Sequence, residues 1–166
     1  VHGSGSLELR DVGFAYPGAE APVLEGISFR SLPGQLTAIV GSTGAGKSSL
    51  VSLVPRLFDA TEGAVLVDGV DVRDLDPDTL WDRIGLVPQE ATLFGGTIAE
   101  NIRYGRLDAT DAEVEAAARA ANAHDFISAL EAGYESPVGD RGQRLSGCQR
   151  QRIAIARAIL KDPPIL

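Results

Sequence analysis

Gly41-Ser42-Thr43-Gly44-Ala45-Gly46-Lys47-Ser48 fits the pattern G-x-x-x-x-G-K-[ST], and its surroundings fit too. Before it, Leu36-Thr37-Ala38-Ile39-Val40 is short, apolar and partly β-branched, the composition of a buried central strand. After it, residues 47–54 read as a helix that Pro55 interrupts. Strand, glycine loop and helix together make a phosphate cradle. The glycines let the backbone wrap so that several N–H groups point inward, at the positive end of a helix dipole. In such a loop Lys47 reaches the β- and γ-phosphates of a nucleotide, and the Ser48 hydroxyl takes a Mg²⁺ position. The loop alone leaves kinases, GTPases, helicases and transport ATPases open.

Upstream, residues 1–6 read as a linker or a cloning scar, because Gly3-Ser4-Gly5-Ser6 has nothing to bury. Leu7, Leu9, Val12 and Phe14 mark a first strand that Tyr16-Pro17-Gly18 closes, and residues 23–29 a second. Downstream, residues 64–67 and 70–72 predict a hairpin around Asp68-Gly69. A helix over 78–84 then leads to a short strand at Leu86-Val87. From about residue 97 to 135 the chain is alanine-rich and helical, with a helix over 111–121 that Thr110 caps. A last helix is expected over 149–160, stopped by Pro163-Pro164.

The 166 residues, 44% of them hydrophobic, suffice for one domain with a core. No stretch approaches the roughly 18 apolar residues of a membrane span, and the N-terminus lacks a signal-peptide pattern, which predicts a soluble, unexported chain. The single Cys148 excludes an internal disulfide and fits a reducing compartment. A net charge of −8 argues against nucleic acid as a partner. Asp108, Asp111, Glu113 and Glu115 form an acidic cluster, and Arg141, Arg144, Arg150, Arg152 and Arg157 a basic one; each reads equally well as a solvated face. His124 is expected to be a surface or capping residue and Trp81 a packing residue.

A second motif narrows the choice. Leu145-Ser146-Gly147-Cys148-Gln149 resembles the LSGGQ signature of the ATP-binding cassette (ABC) ATPases. Val87-Pro88-Gln89 resembles their Q-loop, residues 93–102 (LFGGTIAENI) the LFxGTIxxNI stretch of exporter-type domains, and residues 136–142 (SPVGDRG) the exporter X-loop TEVGERG, with Asp140 retaining one acid. Tyr16 stands where the family carries its adenine-stacking aromatic. The resemblance covers residues 7–166 and implies an α/β P-loop NTPase fold of the ABC ATPase kind. That fold has an antiparallel β subdomain, a RecA-like core and a helical subdomain, here with the C-terminal part of the core missing.

Several roles follow from the resemblance. ATP is held by Tyr16, Gly41, Ser42, Thr43, Gly44, Ala45, Gly46, Lys47, Ser48, Ser49 and Gln89. Lys47 and Gln89 act in catalysis, and Ser48 and Gln89 meet Mg²⁺. Ser146, Gly147 and Gln149 touch the ATP of a second nucleotide-binding domain in a head-to-tail dimer. The other partner is the transmembrane domain of an exporter, which places the chain on the cytoplasmic side of a membrane, the inner membrane in a bacterium.

Two departures qualify this. Cys148 replaces the second glycine of the signature, which leaves a degenerate regulatory half-site, an engineered thiol and a tolerated small residue open. Pro164-Ile165-Leu166 begins the strand that in the family carries the Walker B acids, so these residues alone are expected to hydrolyse poorly and to expose sheet edges. A soluble ABC ATPase of DNA repair or translation is the remaining alternative. The compact span from Gln89 to Leu145 disfavours it, because those proteins carry long insertions there.

Overall fold

The computed structural model describes residues 4–142 and 144–166, with Arg141 described by its backbone alone. Its residues group into two compact units, one of residues 4–84 with Ile165 and one of residues 85–164 with Leu166.

The first unit is built on a four-stranded antiparallel sheet in the order β2-β1-β3-β4, formed by β1 (Leu7–Phe14), β2 (Leu24–Ser31), β3 (Glu62–Val67) and β4 (Val70–Asp71). Inward residues on β1 change parity between Leu9 and Val12, and the register is irregular at that point against both neighbours. The extra residues belong to a bulge in which Asp11 has φ 47° and its N–H donates to the Ser28 hydroxyl at 2.8 Å. The broken alternation in the sequence is therefore the imprint of this bulge. The turn at Asp68-Gly69, with φ 49° and 80°, joins β3 to β4 as expected. Leu9, Val12, Phe14, Val65 and Val67 of the sheet bury their side chains with Leu50 and Leu53 of helix α1 (Lys47–Leu53) and Leu80 of α2 (Pro77–Asp82).

Two expectations change here. Residues 36–40 form no strand: Leu36 is 100% and Val40 88% exposed. A segment meant to be buried on both faces needs a neighbour on each side for its N–H and C=O groups, and among the described residues none pairs with it. Leu86-Val87 likewise forms no strand. Nearby, a parallel bridge joins Ile84 to Ile165, with the Ile165 N–H donating to the Arg83 carbonyl at 3.1 Å. Of the expected RecA-like core, the first unit thus shows α1 and this single bridge.

The expected linker is partly outside the described residues, since 1–3 are not described. Gly5 and Ser6 are anchored, however, both N–H groups donating to the Asp68 carboxylate at 2.8 and 2.9 Å. Arg83 donates to the other oxygen at 2.6 Å.

The second unit is helical: α3 (Ile98–Arg103), α4 (Asp111–Ala120), α5 (His124–Ser128) and α6 (Gly147–Lys161). Three of them start on capping boxes, Thr97 with Glu100, Thr110 with Glu113, and Ser146 with Gln149, each side chain accepting from the other's backbone N–H. The last of these begins α6 two residues before the expected Gln149. Helices α3 and α4 pack against α6 around Ile98, Ile102, Val114, Ile127, Ile153 and Ala156. Gly105, just past α3, lies so close to the Arg157 carbonyl that any Cβ would collide with it. The acidic cluster on α4 is matched by arginines, with Arg103 on Asp111, Arg106 on Glu113 at 3.0 Å and Arg119 on Glu115 at 2.6 Å. His124 is not the cap, a position Ala123 occupies, but is half-buried, with its ring 2.7 Å from the Tyr134 hydroxyl and 3.2 Å from Ser128 Oγ. No helix among the described residues is long and apolar enough to cross a membrane.

Burial opposes ionisation of Asp68, whose side chain is 8% exposed, but the two backbone N–H groups and Arg83 outweigh it and hold the carboxyl below its usual range. A carboxyl with a depressed folded-state pKa adds stability above the unfolded pKa and loses it as pH falls through the folded value. Asp68→Asn should therefore be less stable than the parent at pH 7, with the gap closing as pH drops below ~4. Urea melts at several pH values measure this; a gap independent of pH would contradict it.

Candidate functional site

The phosphate loop is shaped by local conformation. Gly44 and Gly46 have φ 83° and 91°, and the left-handed turn at Gly46 hands the chain directly into α1. A Cβ on Gly46 would also press on the Leu24 and Val23 side chains at 2.9 and 3.0 Å, so both conformation and packing require glycine. The loop is tied across itself: the Ala45 N–H donates to the Ser42 carbonyl at 3.1 Å, and Lys47 Nζ donates to the carbonyls of Gly41 at 2.5 Å and Ser42 at 2.8 Å. An ammonium has three donors, so one remains for another acceptor. Gly41, Ser42, Thr43, Gly44, Ala45 and Ser48 are exposed.

The helix N-termini divide into two kinds. In α2, α3, α4 and α5 the first turn carries an acid: Asp78, Glu100, Asp111 with Glu113, and Asp125. In α1 and α6 it carries none. Helix α1 also has no side-chain cap. First-turn carboxylates stabilise a helix but repel anions from the N–H groups they cover. The two helices that the sequence motifs assign to phosphate are thus the two left without such an acid. In a chain of net charge −8, an anion is drawn only where local dipoles and cations outweigh the overall field.

Tyr16 lies beside this loop. Its hydroxyl is 2.7 Å from Oγ of the buried Ser49, and its ring meets Phe14 and Phe58 edge-on at 4.8 and 5.4 Å. The ring is thereby held in one orientation while 39% of the residue stays exposed. Trp81, in the same unit, donates from its indole N–H to the Pro55 carbonyl at 2.9 Å and is half exposed.

The second unit gathers the other motif residues. Gln89 is exposed and, with Glu90, Ala91, Thr92, Gly147, Cys148, Arg150 and Gln151, lines a cleft of about 690 Å³. Ser146 and Gln149 are engaged as caps: the Ser146 hydroxyl accepts from the Gln149 N–H at 3.2 Å, and the Gln149 amide oxygen accepts from the Ser146 N–H at 3.0 Å. Cys148 is an ordinary helical residue of α6, outside the positive-φ positions, and its thiol is exposed. The backbone strain that a side chain suffers at a left-handed glycine position therefore does not arise. Asp140 opens a 3₁₀ turn over Asp140–Gly142, and the X-loop before it pairs with the start of α3 through the Thr97–Pro137 bridge. The side chain of Arg141 lies outside the described residues.

Sequence reasoning gave Asn101 no role. It is 0% exposed, and its Oδ1 accepts from the Phe94 N–H at 2.8 Å while Nδ2 donates to the carbonyls of Phe94 and Thr97 at 3.0 and 2.9 Å. This closes residues 94–97 into a fixed turn. The signal was present as an amide inside the run Ile98-Ala99-Glu100-Asn101-Ile102, since a buried amide must find partners.

Comparison with known proteins identifies the family. The family profile described as ABC transporter matches residues 24–166. The chain is 53% identical over 163 residues to the Beta-(1-->2)glucan export ATP-binding/permease protein NdvA of Rhodopseudomonas palustris, covering 98% of this chain and 27% of that protein. It is 51% identical over 162 residues to the ATP-dependent lipid A-core flippase of Saccharophagus degradans, covering 98% of this chain and 28% of that protein. Among solved structures, a bacterial Atm1-family ABC exporter with ATP bound matches with a TM-score of 0.92 and 43% identity, over 99% of this chain and 29% of that one. The chain spans less than a third of the length of each of these relatives. With the family profile covering residues 24–166 and identities above half to exporter components, this chain belongs to the ABC transporter family.

Proposed function

We propose that the chain is the ATP-binding and ATP-hydrolysing domain that powers an ABC exporter, working as one of a head-to-tail pair at the cytoplasmic face of a membrane and joined to a transmembrane domain. The observation that carries the reading is the first turn of α1: uncapped, free of acids, entered through the left-handed Gly46 and topped by Lys47. The exporter part rests on the relatives, one a glucan exporter and another a lipid A-core flippase.

In this reading the N–H groups of residues 43–48 take the β- and γ-phosphates, the spare donor of Lys47 joins them, and Tyr16 offers its ring to adenine. Mg²⁺ prefers hard oxygen donors, which the exposed Ser48 hydroxyl and the Gln89 amide oxygen both are. When bound, the ion neutralises phosphate charge. Gln89 keeps the role its motif implies, to orient the attacking water or the metal. Ser146, Gly147 and Gln149 face the ATP of the paired domain. In the capping box the Ser146 O–H and the Gln149 NH₂ are still donors, so capping and phosphate contact are compatible.

Removal of the Lys47 ammonium tests the binding claim. Lys47→Ala should weaken ATP binding at least about tenfold, ~1.4 kcal/mol, with the melting temperature little changed. Equal affinity in a folded variant would sink the assignment.

A second reading, a regulatory half-site with little hydrolysis, is favoured by one observation. The Cys148 thiol stands exposed in the first turn of α6, where the motif's glycine leaves bare backbone. If that bulk obstructs the paired nucleotide, Cys148→Gly raises ATP turnover in the whole protein several-fold. Unchanged turnover removes this reading and leaves the first.

A further inference from the structure

Helix α6 does more than present its N-terminus, since two of its side chains reach the chain on either side of Gln89. Gln151 Nε2 donates to the Pro88 carbonyl at 3.2 Å, and Arg157 Nη1 donates to the Thr92 carbonyl at 3.2 Å. Between these anchors lie three residues, Gln89, Glu90 and Ala91. All three line the cleft whose other wall includes Gly147 and Cys148.

The two ends differ in strength. Arg157 is held from several sides: Nε donates to the Asn101 carbonyl at 2.9 Å, Nη2 to Asn101 Oδ1 at 3.2 Å, and the guanidinium lies over the Phe94 ring, 5.2 Å from its centroid. Asn101 in turn fixes Phe94 through both backbone groups. Among the described residues Gln151 has a single such contact, at the solvent-exposed edge. One end is therefore a multiply bonded anchor and the other a single hydrogen bond that can open.

We propose that Gln151 and Arg157 form a two-point clamp that makes the loop of residues 88–92 and the signature helix α6 one mechanical body. A displacement imposed on Gln89 is then delivered to Gly147 and Cys148 instead of being absorbed by a slack loop. Both are positioning residues, acting through the carbonyls they hold, and the clamp gives the proposed ATPase a route between its Q-loop and its signature. The proposal rests on the function proposed above for the consequences of the clamp, not for its existence.

The test uses the whole protein with Glu90→Cys added to the native Cys148, two thiols on the same cleft. Bifunctional thiol reagents of short and long span are compared. With the clamp intact, one span should react several-fold faster than the other. Gln151→Ala should level that preference, Gln151→Lys, which keeps a donor, should retain it, and Gln151→Glu, which has none, should not. In the same backgrounds without Glu90→Cys, Gln151→Ala should lower kcat for ATP hydrolysis several-fold while KM for ATP holds. A span preference identical in Gln151→Ala overturns the clamp, as does a change confined to KM. ATP binding measured on the same samples separates the two claims: failure of the unsubstituted protein to bind ATP overturns the proposed function, while the span preference still decides the clamp.

Discussion

A helix begins with backbone N–H groups that have no partner within it, and how each helix satisfies them governs this structure. In α3 and α4 the answer is a capping box closed by an acid, Glu100 or Glu113, which spends the positive helix end on the chain's own carboxylate. In α6 the box is closed by the neutral Gln149, and in α1 there is no box. What sets α1 and α6 apart from the other four helices is a first turn without an acid. One acid in the first turn of α1 would oppose phosphate with a like charge at contact distance.

The rest of each unit supports those two ends. In the first unit, the sheet and α1 share a core through Leu9, Val65, Leu50 and Leu53, and Tyr16 is locked to α1 by its hydroxyl contact with Ser49. In the second, α3 and α4 pack on α6, Gly105 allows the close approach, and Asn101 with Arg157 fastens the turns before α3 to the same helix. A half-buried guanidinium is costly to desolvate, and burial does push the Arg157 pKa down. Its contacts to the carbonyls of Thr92 and Asn101, to Asn101 Oδ1 and to the Phe94 ring offset that cost.

What the sequence made legible was local. The hairpin at Asp68-Gly69, the cap at Thr110 and the loop at Gly41 to Ser48 depend on residues adjacent in the chain, and their chemistry can be read directly. The bulge at Asp11 was visible as a lapse in alternation yet unreadable as a bulge, because Ser28, which holds its backbone, is distant in sequence. The segment 36–40 failed in the opposite way: its composition suits a buried strand, but strand formation is a property of neighbours, which the segment itself does not encode. Asn101, Gln151 and Arg157 act through backbone carbonyls, which leave no mark on residue identity at the receiving end.

The central claim is that the uncapped N–H groups at the start of α1 bind the terminal phosphates of ATP. Hydrogen–deuterium exchange of the backbone amides in residues 43–48, with and without MgATP and with AMP as the control lacking those phosphates, measures this directly. The account predicts strong protection there with MgATP and little with AMP. Equal protection by both nucleotides, or none at 43–48 while other segments respond to MgATP, would contradict it.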